Sequence, residues 1–160
     1  MADVRLTRRY RFSASHRLNS EQLSAEENRA VYGKCNNPYG HGHDYVMDVT
    51  IRGDVNEARG RLISIDALDQ FVQVVVLKSF DRRNLNVEVT EFATLPPTTE
   101  VLSQVIARRM SEAWPIAFGG SGARLEKLRI RETRNNIFEV LAPAPVERED
   151  QLDEISESRS

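Results

Sequence analysis

The chain has 160 residues, of which 40% are hydrophobic and 29% charged, and its formal net charge is −2, a composition typical of one globular domain. No apolar run approaches the roughly 20 residues of a membrane span, and the first ten residues lack the apolar segment of a signal peptide. The weak net charge argues against a nucleic-acid partner. One cysteine cannot form an internal disulfide bond, so we expect a cytoplasmic protein.

The first predicted element is a strand over residues 4–16. Its even positions are mostly apolar and place His16 at the end of the apolar face. Its odd positions carry a row of arginines, which indicates a solvent-exposed face or, alternatively, a positive rim that attracts a polyphosphate. Arg17 and Lys34 lie nearer to the histidines of the chain and are the better candidates for phosphate contacts.

The connection that follows contains the only cysteine. Ser24 and Glu27 form a capping-box pattern, which predicts a short helix over residues 25–31. A loop over residues 34–40 then carries Cys35 among polar neighbours that would make a poor core. A lone cysteine is most often a small buried hydrophobe, but the adjacent Lys34 would favour the thiolate form, and we expect a reactive role.

Two histidines open the second predicted strand, which covers about residues 43–53. His41 and His43 are two positions apart and therefore point to the same face of a strand. The pair alone is equally consistent with ordinary surface histidines. If this strand pairs with the first one, however, His16 joins them, and three imidazoles with one open position are the ligand set of a catalytic zinc ion.

Helices and strands alternate in blocks along the rest of the chain. An apolar stripe predicts a helix over residues 65–78, and a loop follows over residues 79–91. Thr98 or Thr99 caps a second helix that ends near Trp114 and Pro115. Residues 124–133 and 136–142 form a predicted hairpin. The order β-β-α-α-β-β predicts an α+β fold, an antiparallel sheet with two helices on one face, within a single domain over residues 1–142. Residues 143–160 contain six acidic and two basic residues and form a predicted disordered tail.

Five stretches in order between about Arg11 and Val140 carry a family resemblance: FSASHRL, LSAEENRAVYGKCNNPYGHGHDY, FDRRNLN, PTTE and RETRNNI. In them the sequence resembles the 6-pyruvoyl-tetrahydropterin synthase family. The resemblance implies the tunnelling fold, in which trimers close their sheets into a barrel and two trimers stack into a hexamer. It also implies a zinc ion held by His16, His41 and His43.

The resemblance supplies the reaction and the remaining site residues. The substrate would be 7,8-dihydroneopterin triphosphate, accompanied in some cases by a magnesium ion, and the products 6-pyruvoyl-tetrahydropterin and triphosphate. Cys35 would be the general base. Glu132 would anchor the pterin ring by accepting hydrogen bonds from its N–H groups. The residues implied to line the same pocket are Thr98, Thr99 and Glu100.

One departure from the family pattern affects the expected chemistry. The family has Asp-His where this chain has Asp81-Arg82, and a guanidinium group cannot accept a proton as imidazole does. All three histidines of the chain are already assigned to zinc. Two alternatives therefore stay open: the related 6-carboxy-tetrahydropterin synthase of the queuosine pathway, and a pterin-binding homologue with little turnover. The LSAEEN and KCNNPYGHGH segments favour the pyruvoyl enzyme.

Overall fold

The computed structural model describes residues 3–142, and the predicted acidic tail over residues 143–160 lies outside them. The described chain contains five strands and five α-helical segments. In chain order they are β1 Val4–His16, α1 Ala25–Tyr32, β2 His41–Gly53, α2 Ile65–Val72, α3 Lys78–Phe80, β3 Arg83–Asn84, α4 Leu85–Glu88, α5 Thr99–Phe118, β4 Arg124–Arg131 and β5 Ile137–Leu141. A π-helical turn at Gln73–Leu77 joins α2 to α3 without a break.

The strands form one sheet in the order β3-β1-β2-β4-β5. The β1–β2, β2–β4 and β4–β5 pairs are antiparallel, which confirms the predicted α+β sheet. The β1–β2 register runs without a shift from Val4 opposite Gly53 to His16 opposite His41. This register decides the position of the histidines, because it brings the end of β1 against the start of β2.

The core lies on one face of the sheet, under the helices. The apolar odd-numbered residues of β2, from Tyr45 to Ile51, are at most 1% exposed, in keeping with the alternation of the sequence, and the residues between them are also buried. The stripe of α5 packs against them. The largest fully buried side chains of the two elements are Tyr45, Met47, Ile51, Leu102, Ile106 and Met110.

Two element boundaries differ from the prediction. Residues 79–91, predicted as a loop, contain the two-residue strand β3, which pairs in parallel with β1, and the short helix α4. The helix predicted to end near Trp114 and Pro115 continues to Phe118. Proline costs a helix one backbone hydrogen bond, but Trp114 and Phe118 both pack edge-on against Phe71, and this buried aromatic cluster offsets the loss.

A search of residues 3–142 for a helix both long and apolar enough to cross a membrane finds none.

Candidate active site

Three imidazole rings meet at the end of the β1–β2 ladder. Nε2 of His41 lies 3.1 Å from Nε2 of His16 and 3.2 Å from Nε2 of His43. One ligand atom from each of the three residues falls within 4.8 Å of the others. The predicted histidine cluster is therefore present in the geometry.

The protonation of these rings suits a metal ligand set. Nδ1 of the buried His16 lies 2.8 Å from the carbonyl oxygen of Pro97, and since a carbonyl only accepts, Nδ1 carries the proton and the Nε2 lone pair faces the cluster. Burial lowers the pKa of His16 and of His43, which keeps both rings neutral. Nitrogen ligands of a tetrahedral zinc ion lie about 3.3 Å apart, as follows from a Zn–N distance of 2.0–2.1 Å. The residues present therefore fit zinc.

A glycine permits the chain to approach this cluster. Gly40 has a φ of +67°, and a Cβ atom there would lie 2.6 Å from the backbone oxygen of His16. A glycine at this position therefore allows the backbone of the 34–40 loop to lie close to the end of β1. A hydrogen bond from Leu18 N–H to the Cys35 carbonyl (2.8 Å) draws the same loop inward.

Cys35 faces the site, but its environment differs from the prediction. It lies in a 3₁₀ turn, Gly33–Asn36, and its side chain is half-buried. Burial, followed by the negative charge of Glu132, raises the pKa of the Cys35 thiol. The expectation that Lys34 favours the thiolate is therefore wrong for this subunit, because Lys34 is exposed to solvent while the cysteine faces a carboxylate.

A cationic hollow of about 810 Å³ borders the histidine cluster at His41. It lies between α1 and the loop before β2, and the side chains of Arg17, Arg29 and Lys34 line it. Two hydrogen bonds with the Asn86 side chain fix the backbone of Arg17. The Arg17 N–H donates to Oδ1 of Asn86 (2.7 Å), and Nδ2 of Asn86 donates to the Arg17 carbonyl (2.9 Å). The predicted phosphate contacts Arg17 and Lys34 therefore lie on one surface, together with an arginine that was not predicted.

Glu132 lies beside His43, whereas the hollow reaches the cluster at His41. Its Oε1 accepts a hydrogen bond of 2.5 Å from the Thr99 hydroxyl and lies 3.7 Å from Nε2 of His43. Because His43 is neutral, this approach is no ion pair. Of the other two predicted pocket residues, Thr98 accepts from Val101 N–H as the N-cap of α5, and Glu100 is exposed in the first helical turn.

Asp81 and Arg82 form no hydrogen bond with Cys35 among residues 3–142; their bonds go to Ser13. The Asp81 carboxylate accepts from the N–H of Ser13 (2.9 Å), and Arg82 donates its own N–H to the Ser13 carbonyl (2.6 Å). Arg82 lines a second hollow, of about 530 Å³, together with Ser13 and Asp44. Ser13 and Asp44 have the strand parity opposite to the histidines, whereas Ala14 and His43, which line the same hollow, share the histidine parity.

The sequence prediction missed three contributors to the site. Arg29 lies on the exposed side of a short helix, where an arginine is unremarkable. The Pro97 carbonyl, which orients His16, carries no side-chain signal. Tyr45 shares the parity of His41 and His43, and that parity was the one available indication that it faces the site.

Comparisons with known proteins agree with this geometry. A family model described as 6-pyruvoyl tetrahydropterin synthase matches residues 5–143. The 6-pyruvoyl tetrahydrobiopterin synthase of Poecilia reticulata is 42% identical over 132 residues, covering 82% of this chain and 86% of the relative. That of Homo sapiens is 38% identical over 134 residues, covering 84% and 88%. A solved structure of the Caenorhabditis elegans 6-pyruvoyl tetrahydropterin synthase matches with a TM-score of 0.80 at 36% identity, covering 89% of this chain and 98% of that chain.

The fold and the histidine cluster define the class first: this is a tunnelling-fold protein with a candidate metal site at one end of its sheet. The extent of the matches then fixes the family. The chain belongs to the 6-pyruvoyl tetrahydropterin synthase family, a family of lyase-type enzymes.

Proposed function

We propose that the protein is a zinc-dependent enzyme that converts 7,8-dihydroneopterin triphosphate to 6-pyruvoyl-tetrahydropterin and triphosphate. The observation that carries this proposal is a cluster of three imidazoles with a half-buried carboxylate beside His43 and a cationic hollow beside His41. The substrate has three matching parts: a side chain with hydroxyl groups, a pterin ring with N–H donors, and a triphosphate.

His16, His41 and His43 would hold the zinc ion, with Pro97 fixing the ring of His16 through its carbonyl. When bound, zinc would supply a Lewis acid that polarises the oxygen atoms of the substrate side chain and so acidifies the adjacent C–H bond. The rest of the chemistry belongs to the protein's own groups.

Glu132 would anchor the pterin ring. A single carboxylate can accept two of the ring's N–H donors at once, and such charge-assisted pairs fix orientation as well as affinity. The hydrogen bond from Thr99 holds the Glu132 side chain in place before the ligand arrives. Glu100 and Thr98 stay proposed as further pocket residues in the assembled enzyme.

The cationic hollow would take the triphosphate. Arg17, Arg29 and Lys34 supply three positive charges beside His41, and arginine in particular matches phosphate oxygens with two parallel donors. A magnesium ion bound to the triphosphate would add further positive charge. The hollow lies next to the histidine cluster. A substrate can therefore place its triphosphate in the hollow and its hydroxylated side chain at the histidines.

Cys35 would move protons on the substrate side chain: it accepts one from carbon and returns protons as triphosphate leaves. No external oxidant or reductant is needed, because the reduction of the ring and the oxidation of the side chain balance within the substrate. Asp81 and Arg82 would assist Cys35 from a neighbouring subunit, since within one subunit their described hydrogen bonds go to the Ser13 backbone and not to Cys35.

A low-turnover pterin-binding protein is a second candidate because Arg82 replaces the relay histidine. Arginine stays protonated and can stabilise a negative charge but not relay a proton. The two candidates bind the same ligand and differ in rate. The cytoplasm is the proposed location on the grounds of the single cysteine.

The proposal is tested by zinc content and turnover in the same preparations. We expect about one zinc per chain in the purified protein, release of triphosphate from 7,8-dihydroneopterin triphosphate, and loss of both zinc and turnover in His41→Ala. Full turnover in a His41→Ala protein that contains no zinc would overturn the metal assignment.

A further inference from the structure

The hydroxyl group of Tyr45 has no part in the roles proposed above. Tyr45 follows His43 by two residues on β2, so its ring lies on the same face of the sheet as the histidines. The ring stacks on Phe12 with centroids 4.9 Å apart and lies 5.7 Å from the ring of His43. The residue is only 1% exposed.

This hydroxyl is buried and, although the Thr99 side chain lies near it, forms no hydrogen bond of normal geometry. Within residues 3–142 only two buried side-chain polar atoms are in this state, the Tyr45 hydroxyl and Oγ of Ser111. Buried tyrosine hydroxyls usually find a partner, because burial removes their hydrogen bonds to water. Stability alone therefore does not account for an oxygen atom at this position, where phenylalanine would fill the same space.

An acceptor with unused capacity lies in the same pocket. Among the described residues the Glu132 carboxylate accepts one side-chain hydrogen bond, from Thr99, whereas a carboxylate has about four acceptor positions. Val46 on β2 pairs with Arg131 on β4, so the antiparallel register, continued by one residue, brings Glu132 opposite Tyr45. An unpaired donor therefore lies beside an acceptor that can take it.

We propose that Tyr45 is a positioning residue whose hydroxyl donates a hydrogen bond to the Glu132 carboxylate when a pterin occupies the site. With Thr99 as the other donor, this bond would hold the carboxylate in the plane needed to accept two ring N–H groups together. The role rests on the proposed function of Glu132 as the pterin anchor. The inference adds that Tyr45, a residue that does not touch the substrate, orients the Glu132 carboxylate.

The variant Tyr45→Phe removes one oxygen atom and leaves the stacking on Phe12 in place. Neopterin, which lacks the triphosphate, is the probe, and calorimetry on the zinc-loaded protein gives its dissociation constant. We expect binding about tenfold weaker, as for a hydrogen bond to a charged group, with zinc content unchanged. The melting temperature of the free protein should not fall, since no hydrogen bond of the free state is lost. Ser111→Ala, which removes the other unpaired hydroxyl, should leave neopterin binding unchanged.

A double-mutant cycle separates positioning through Glu132 from any independent effect. In the Glu132→Gln background, Tyr45→Phe should weaken neopterin binding by less than twofold further. Unchanged affinity in Tyr45→Phe, a lowered melting temperature with unchanged affinity, or the same tenfold loss in both backgrounds would each overturn the inference. If Glu132→Gln alone left binding unchanged, the pterin anchor itself would be wrong, and the proposed function would fail at that point as well.

Discussion

At the residue scale, Arg82 is unusual in its backbone as well as in its side chain. It has a φ of +58°, the one left-handed conformation of a non-glycine residue within residues 3–142. Residues with a Cβ atom adopt this conformation rarely, and histidine does so more readily than most. The hydrogen bond from its N–H to Ser13 holds the conformation in place. Such strain at a position where the family has a histidine supports a functional constraint on the loop.

Replacing Arg82 should therefore alter rate rather than folding. We predict that Arg82→His raises turnover of 7,8-dihydroneopterin triphosphate by about tenfold or more, because imidazole can both accept and release a proton near neutral pH. Cys35→Ala should abolish turnover and keep its zinc. Steady-state kinetics with zinc analysis measures both effects.

The neighbouring arginine offers a matched control. Arg83 pairs with Glu88 through a hydrogen bond of 2.8 Å, and Arg83→His should leave the rate close to that of the unmodified enzyme. An Arg82→His protein that folds, keeps zinc and reacts no faster would mean that protons travel by another route, such as water oriented by Asp81. Full activity in Cys35→Ala would remove the thiol from the mechanism.

At the element scale, the contact between the 34–40 loop and the end of β1 determines whether the histidines meet. We predict that Gly40→Ala destabilises the protein by about 2 kcal/mol or more, since it combines a left-handed backbone with a clash against His16. Zinc occupancy should fall with it. Chemical denaturation and metal analysis provide the measurements.

Gly60 gives the corresponding control for backbone strain alone. Its φ is +62°, but nothing lies within 4 Å of where its Cβ would be. Gly60→Ala should cost about 1 kcal/mol and leave zinc in place. If both variants lost stability equally and both retained zinc, the loop contact would have no role in forming the metal site.

The cationic hollow beside α1 should bind the triphosphate of the substrate, and Arg29 provides a test. Arg29→Ala should raise the KM for the triphosphate substrate severalfold and reduce the dependence of binding on salt, because one phosphate contact is lost. Binding of neopterin, which carries no phosphate, should not change. Arg59→Ala, at the far end of β2, is the control and should affect neither ligand. An equal loss for both ligands would place the triphosphate elsewhere.

The sequence was sufficient for the long elements and insufficient for those made by tertiary contacts. Alternation at Tyr45, Met47 and Val49 predicts β2 because burial on one face leaves a period of two. The strand β3 has only two residues and exists because Arg82 and Asp81 bond to Ser13, a contact that no local pattern reveals. The hydrogen bond from the Ser13 N–H to the Asp81 carboxylate was unpredictable for the same reason.

Some features of the site were predictable from the sequence, and others depend on contacts between distant residues. Strand parity was enough to place the three histidines together, since β1 and β2 pair without a shift. The direction of the Cys35 pKa was not predictable from its neighbours in sequence. That pKa is raised by burial of the thiol and, next, by Glu132, which is almost a hundred positions away along the chain.

At the scale of the whole molecule, the sheet has two free edges. No strand within residues 3–142 pairs with the outer edge of β5, or with that of β1 over residues 4–12. Open edges invite pairing with another chain, and Leu141 on β5 is 71% exposed. These edges, together with the separation of Asp81 from Cys35, support a hexamer whose active sites combine residues of two subunits.

Subunit mixing tests that arrangement. We predict that Cys35→Ala and Asp81→Ala are each inactive, and that hexamers reassembled from equal amounts recover about one quarter of full activity, since each site would draw one residue from each of two subunits. Light scattering should report a hexamer throughout. A stable active monomer, or no recovery after verified reassembly, would contradict shared sites.

The identity of the pterin product tests the central claim most directly. The zinc-loaded protein is incubated with 7,8-dihydroneopterin triphosphate under anaerobic conditions, and the product is separated by chromatography and identified by mass. The cationic hollow, the metal ligands and the Glu132 anchor together predict 6-pyruvoyl-tetrahydropterin with one equivalent of triphosphate. Formation of 6-carboxy-tetrahydropterin, or recovery of unchanged substrate from a protein that binds it tightly, would contradict this account.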